Sequence, residues 1–324
     1  MGVQLVVWAV VPPLLLLVYY YRRISPTLPL LRLLTIFVIG VLSGFAALAG
    51  ELGFEYLAWL VNWHEITQSL AGVALRQVVE VAPIEEGCKL GSVVLLQYWN
   101  RYANEYQRFT LSRPRNVFLF TIAVALGFTA EENWVYLANG TASIFDRLIG
   151  TPVHVLFSAP WGYALGIASH TLIRSGRYRG IIARAWLNAV ICHALVNVLS
   201  STPRYSPPLH LLSYGLFPFL LWMFWRLEQL LRKVQKKPPI VLISGTPIHR
   251  YWQMGLALFA LILGGNAIFG IFLLLRRLSP MNPSQLFYPD VLWFLVSSFV
   301  LNLIPGIIAW AIYQYLRYSA RRYF

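Results

Sequence analysis

Apolar runs of about 20 residues recur along the whole chain, each long enough as helix to cross a hydrocarbon core about 30 Å thick. They begin with VQLVVWAVVPPLLLLVYYY at residues 3–21 and leave no stretch for a separate soluble domain. Their period predicts nine spans, at about 3–21, 33–60, 72–98, 116–138, 152–173, 181–200, 209–227, 252–275 and 290–314. The fold class is therefore all-α, a polytopic integral membrane bundle. Composition agrees: 58% of the 324 residues are hydrophobic and 12% charged, against about 25% charged in soluble domains. The first run has no basic residue before it and no small-residue cleavage site after it, so it is expected to be retained rather than removed. The tail of the second run, ELGFEYLAWLVNWHEIT, mixes aromatic and acidic residues and is expected to bend into the interface.

A net charge of +14 would suit nucleic acid only if the basic groups formed a patch on a surface module. They sit instead in short loops between the runs, which excludes nucleic acid and makes the lipid bilayer the expected partner. Alternate loops and the C-terminal tail hold 20 of the 26 Lys and Arg residues. They are Arg22, Arg23 and Arg32; Arg101, Arg108, Arg113 and Arg115; Arg174, Arg177, Arg179 and Arg184; Arg226, Arg232, Lys233, Lys236, Lys237 and Arg250; and Arg317, Arg321 and Arg322. Opposite them stand only Arg147, Arg204, Arg276 and Arg277. By the positive-inside rule the N-terminus is outside and the C-terminus cytoplasmic, in a cell membrane, the inner one where there are two. Three regions follow: peripheral helices at 1–71, a polar-motif core at 72–200, and C-terminal helices at 201–324 with a basic cytoplasmic loop at 226–252. Cys88 and Cys192 lie far apart inside apolar segments and suggest neither a disulfide nor a thiolate metal cluster.

Charge inside a bilayer costs about 2.5–3.5 kcal/mol per group on insertion scales, so intramembrane ionisable residues mark function by default. Five of the 12 acids, Glu80, Glu85, Glu86, Glu131 and Glu132, fall in the third and fourth spans, and His154 and His193 follow in the fifth and sixth. On the third span Arg76 and Glu80, and Glu85 and Lys89, are four apart and share helix faces. Pro83 is expected to bend the helix just before the glutamates. On the fourth, Phe128, Glu132 and Asn133 fall within little more than a turn; Glu131 points about 100° away from Glu132 and is expected at the rim. On the fifth, His154, Ser158, Gly162 and Gly166 recur every four residues, the spacing of a close helix seam. On the sixth, His193 and Asn197 share a face. His170 is expected at the cytoplasmic interface. By depth, Glu85 lies near mid-membrane and Glu132, His154 and His193 lie further out, so the groups could meet in a cavity open to the outside.

In that order, EExxK (Glu85, Glu86, Lys89), GFxxxEN (Gly127, Phe128, Glu132, Asn133), HxxxSxxxG (His154, Ser158, Gly162) and HxxxN (His193, Asn197) resemble the PrsW family of intramembrane proteases. That family is related to the type II CAAX prenyl endopeptidases and the Abi proteins. The similarity covers about residues 72–200. A longer EExxxR motif and a His in place of Glu132 would mark the CAAX enzymes, so prenyl-protein processing is the alternative. The resemblance implies an endopeptidase that cuts a single-span, anti-sigma-factor-like membrane protein toward its extracytoplasmic side. It also implies Glu85 as base with Glu86 beside it, and Glu132, His154, His193 and Asn197 around the water and the scissile carbonyl. Lys89, Phe128, Asn133, Ser158 and Gly162 give structural support. Two mechanisms stay open: zinc held by Glu132, His154 and His193 with Glu85 as base, or a metal-free glutamate mechanism, toward which the missing HExxH pair and the related CAAX enzymes lean. A proton-coupled transporter could use the same Glu and His cluster, but would spread polar groups over both halves of the chain, and an Abi-like scaffold would tolerate loss of Glu85.

Overall fold

The computed structural model describes residues 2–24, 28–66, 68–99, 111–170, 176–245, 247–279 and 281–321. Arg101, Arg108, Arg174 and Arg322 of the loop count, and the last residues of the fifth expected span, lie outside them. Among the described residues every regular element is helical. In order these are α1 (Gly2–Ile24), α2 (Leu30–Ala58), α3 (Trp63–Ile66), α4 (Leu70–Arg76), α5 (Ala82–Trp99), α6 (Pro114–Ala138) and α7 (Ile144–Gly150). Then follow α8 (Val153–His170), α9 (Gly176–Ser201), α10 (Pro207–His210), α11 (Leu216–Val234), α12 (Pro247–Leu278) and α13 (Pro289–Arg321). Among the described residues six helical stretches are long and apolar enough to cross a membrane: Gly2–Ile24, Leu30–Ala58, Arg179–Arg204, Pro208–Val234, His249–Leu278 and Pro289–Arg321. Helices α5, α6 and α8, which are not among these six, carry three of the four polar motifs; the fourth, HxxxN, lies on Arg179–Arg204.

The chain divides into two compact units, one of Met1–Val198 with Leu230–Lys237, the other of Leu199–Gln229 with Pro238–Phe324. The first unit is built around α6. This helix is apolar on all its faces from Val117 to Ala130 and buried along that length, as expected of a helix hydrophobic all round. Its hydroxyls there, Thr121 and Thr129, donate to the carbonyls of Val117 and Ala125 one turn back, at 3.1 and 2.9 Å, so both are satisfied within the helix. Helices α1, α2 and α8 pack along it. The closest approach is to α2: a Cβ on Gly127 would overlap the carbonyl oxygen of Phe37, and one on Gly40 would overlap that of Val124. On the α8 side Gly162 meets the side chain of Thr121 and Gly166 the backbone of Pro114, which is the seam predicted from their spacing.

Helix α2 runs unbroken to Ala58; the chain then turns through Trp59–Val61 to Asn62, which is left-handed at φ 52°. Residues Gln77–Val81 join α4 to α5 as a π-helical turn, with the Ala82 N–H bonded to the Gln77 carbonyl five residues back. The distortion that Pro83 predicts thus lies on its N-terminal side, because the proline ring crowds the carbonyl four residues before it and a widened turn relieves the clash.

In the second unit α12 and α13 lie along each other. Phe217, Phe269 and Phe272 form an aromatic cluster with ring centroids 5.2–6.4 Å apart. Gln229 holds residue 240 by a pair of hydrogen bonds, donating to the Ile240 carbonyl at 2.9 Å and accepting from its N–H at 3.1 Å.

Candidate active site

The third segment turns its glutamates inward because EExxK places three ionisable side chains within one helical turn, and they can be satisfied only by each other and by neighbouring helices. Lys89 is completely buried, and its ammonium has three hydrogens to place. All three find acceptors: Glu86 Oε1 at 2.8 Å, Glu85 Oε2 at 3.2 Å and His154 Nδ1 at 2.9 Å. The ring centroid of Phe128 lies 3.9 Å from the ammonium, a cation–π contact strengthened by the burial of Lys89. A buried charge of this kind is tolerable only when fully paired.

The two glutamates, equivalent in sequence, are not equivalent here. Glu86 is fully buried, and its other oxygen accepts from Ser158 Oγ at 2.9 Å and Trp161 Nε1 at 3.0 Å, both on α8. Glu86 therefore ties α5 to α8. Glu85 faces the histidines instead: its Oε2 lies 3.8 Å from His154 Nδ1 and 3.8 Å from His193 Nε2.

An ammonium can only donate, so His154 Nδ1 must carry the lone pair and Nε2 the proton. That proton points at Glu132 Oε2, 2.6 Å away. The same oxygen accepts from Arg147 Nη2 at 2.7 Å, while Arg147 Nε donates to Asn133 Oδ1 at 2.7 Å. A carboxylate on one ring nitrogen and a turned-in lone pair on the other is the arrangement by which second-shell groups orient a reactive histidine. The His154 ring is further held between Phe128 and Phe157, with centroids at 5.2 and 5.8 Å. His193 stacks on Phe157 at 4.4 Å with an interplanar angle of 11°. Its Nδ1 is buried without a hydrogen-bond partner, 3.6 Å from Glu86 Oε1.

One ligand atom each from Glu85, His154 and His193 lies within 4.8 Å of the other two. The expected zinc set had Glu132 as its carboxylate; here Glu85 takes that position, and Glu132 reaches the group through His154. Asn197 lies one turn beyond His193 and donates to Gln77 Oε1 at 2.8 Å, on the π-helical turn. Glu80 belongs to a separate cluster, accepting from Trp63 Nε1 at 2.6 Å and from Arg76 at 3.2 Å; Arg76 also pairs with Glu55. Glu131 is not at a rim: it is buried against α2 at Gly44, because α6 is enclosed on that face as well. His170 ends α8.

Sequence reasoning missed Trp161, Arg147 and Gln77. Trp161 falls seven residues after His154 on the same face of α8, a signal the spacing does contain. Arg147 was legible only as a loop charge, and Gln77 not at all, since its partner lies 120 residues away.

Residues 28–223 match the family described as PrsW family intramembrane metalloprotease. The chain belongs to the PrsW family. Within it, the chain is similar to Protease PrsW of Shouchella clausii (strain KSM-K16), 27% identical over 131 residues. That match takes in 38% of this chain and 57% of the relative's length. No solved structure matches the chain. Like the PrsW family to which it belongs, this is a multi-pass integral protein of the cell membrane.

Proposed function

We propose that the chain is an intramembrane endopeptidase that hydrolyses a peptide bond of a single-span, anti-sigma-factor-like membrane protein toward its extracytoplasmic side. Residues 72–200 form the catalytic core in this reading. The observation that supports it most is the meeting of Glu85, His154 and His193 in one buried cluster, drawn from three helices and braced by Lys89 and Glu132. The partly exposed side of the cluster is Glu132, at 21% of its side chain, near the end of α6 that the loop charges put outside.

Both oxygens of Glu86 are committed to Lys89, Ser158 and Trp161, so Glu85 is the base of the pair. Glu85 takes a proton from water as the water oxygen bonds to the scissile carbonyl carbon. The carbon–nitrogen bond then breaks, and the proton passes from Glu85 to the leaving amine. His193, with a buried ring nitrogen that has no hydrogen-bond partner, donates to the developing oxyanion, and Asn197, one turn along and bonded to Gln77, adds a second donor when it exchanges that bond for the oxyanion. His154 is oriented by Glu132 at Nε2 and accepts from Lys89 at Nδ1, so its ring is fixed beside Glu85.

The donor set also fits a divalent cation. Two histidines and a glutamate are a catalytic zinc composition, and Glu85 Oε2 and His154 Nδ1 already converge on a cation, the Lys89 ammonium. Zinc held by Glu85, His154 and His193 would supply Lewis-acid polarisation and a more acidic water.

The test is cleavage of a single-span substrate by the purified protein in proteoliposomes, with the Glu85→Gln, Glu132→Gln and His193→Ala variants checked for folding. Loss of cleavage is expected in each, with the cut mapped near the outer end of the substrate span. Undiminished cleavage in all three defeats the assignment, and proton flux without cleavage points to a transporter. Zinc content and activity before and after chelation choose between the glutamate and metal mechanisms.

A further inference from the structure

Arg147 stands on the side of the membrane that the loop charges leave nearly empty of cations, and nothing in the peptidase chemistry above requires it there. We infer that Arg147 is a positioning residue, which fixes the Glu132 carboxylate and through it the ring of His154; its kinetic consequence rests on the endopeptidase reading.

The guanidinium is held by α6 on three sides. Its fork spans two adjacent residues, Glu132 and Asn133, at 2.7 Å each, and its Cζ lies 4.6 Å from the Tyr136 ring centroid, one turn beyond. Glu132 Oε2 is shared: Arg147 and His154 bind the same oxygen, at 2.7 and 2.6 Å, so a carboxylate released from one is free to rotate away from the other. The short helix that carries Arg147 has no buried side chain of its own. Its start is set by a capping box in which Ser143 and Asp146 satisfy each other's N–H groups. Its end is tied to the same place, since Thr151 Oγ1 donates to the Arg147 carbonyl at 2.7 Å and accepts from Asn133 Nδ2 at 3.4 Å. Polar contacts centred on Arg147 thus tie α7 to α6, and they end on His154. An arginine suits this task because lysine cannot present two donors in a fixed plane.

The experiment uses the full-length protein in micelles or proteoliposomes, with Arg147→Gln, Arg147→Lys and, as a charge control elsewhere on the same side, Arg204→Gln. Arg147→Gln is expected to lower kcat roughly 10–100-fold, the usual effect of losing an outer-shell partner, with KM unchanged within about threefold. Arg147→Lys recovers only part, and Arg204→Gln matches wild type. Independently of activity, nitrogen-15 histidine spectra should show His154 as a single Nε2–H tautomer in wild type and as a mixture in Arg147→Gln. Wild-type kcat, a change confined to KM, or an unchanged His154 signature in a folded Arg147 variant overturns the inference. If Arg147→Gln does not fold, the spectrum and kcat of Arg147→Lys decide in the same way. Failure of the endopeptidase reading is separately visible, as absence of cleavage by wild type; the histidine spectrum still decides the role of Arg147.

Discussion

Helices α5, α6, α8 and α9 and the pair α12–α13 are both made from long apolar sequence, yet they bury different things. The α12–α13 pair meets at small residues: a Cβ on Gly270 would overlap the side chain of Asn302, and one on Gly306 would touch Ala267 at 3.5 Å. The motif helices also share a small-residue seam, α8 against α6, but add salt bridges and charge-assisted hydrogen bonds, with Glu86 and Lys89 fully buried. Lipid chains are as apolar as leucine, so burying apolar side chains gives membrane helices little drive to associate. The C-terminal pair therefore relies on close fit. The motif helices carry groups that lipid will not accept, and satisfying them fixes which faces meet and how far each helix is inserted.

The sharpest break in this comparison is chemical. Glu85→Gln keeps the size of the side chain and is expected to lower the initial cleavage rate by about 10²–10⁴, with helical content by circular dichroism unchanged. No substitution in α12 or α13 should do this, and a comparable loss there would mean that the chemistry is not confined to the motif helices. Next is Lys89→Met, which leaves two buried carboxylates facing each other; a loss of about 3–5 kcal/mol is expected, read by unfolding in mixed micelles. A third test separates fit from charge: Gly127→Ala pushes a methyl group into the Phe37 carbonyl and should cost about 1–3 kcal/mol without changing the cleavage site. The smallest effect is expected at Gly255 on α12, where an added Cβ meets nothing within 4 Å. There alanine should shift stability by no more than about 0.5–1 kcal/mol, in the stabilising direction, because glycine is the poorer helix former.

Much of this was legible in the chain. Period and length marked the helices, and four-residue spacing correctly announced the α8 seam at Gly162 and Gly166 and the Glu85–Lys89 pair. Local spacing fails where a partner comes from elsewhere. Glu131 and Glu132 differ only by 100° of helix rotation, and which face is enclosed depends on α2, some 80 residues earlier in the sequence. The inequality of Glu85 and Glu86 likewise depends on Ser158 and Trp161, which reach one carboxylate and not the other.

The sequence by itself determined that the chain is a bundle of membrane helices, that its intramembrane ionisable groups are concentrated in four of them, and which faces carry them. These follow from hydropathy and from the fixed 100° step of the helix, which are local properties. Only the tertiary structure decided that Lys89 would spend its three hydrogens on Glu85, Glu86 and His154, that Glu85 would join the histidines, and that Arg147 would reach Glu132 from a short separate helix. A hydrogen bond depends on a few tenths of an ångström and on direction, and across helices far apart in sequence packing alone sets those.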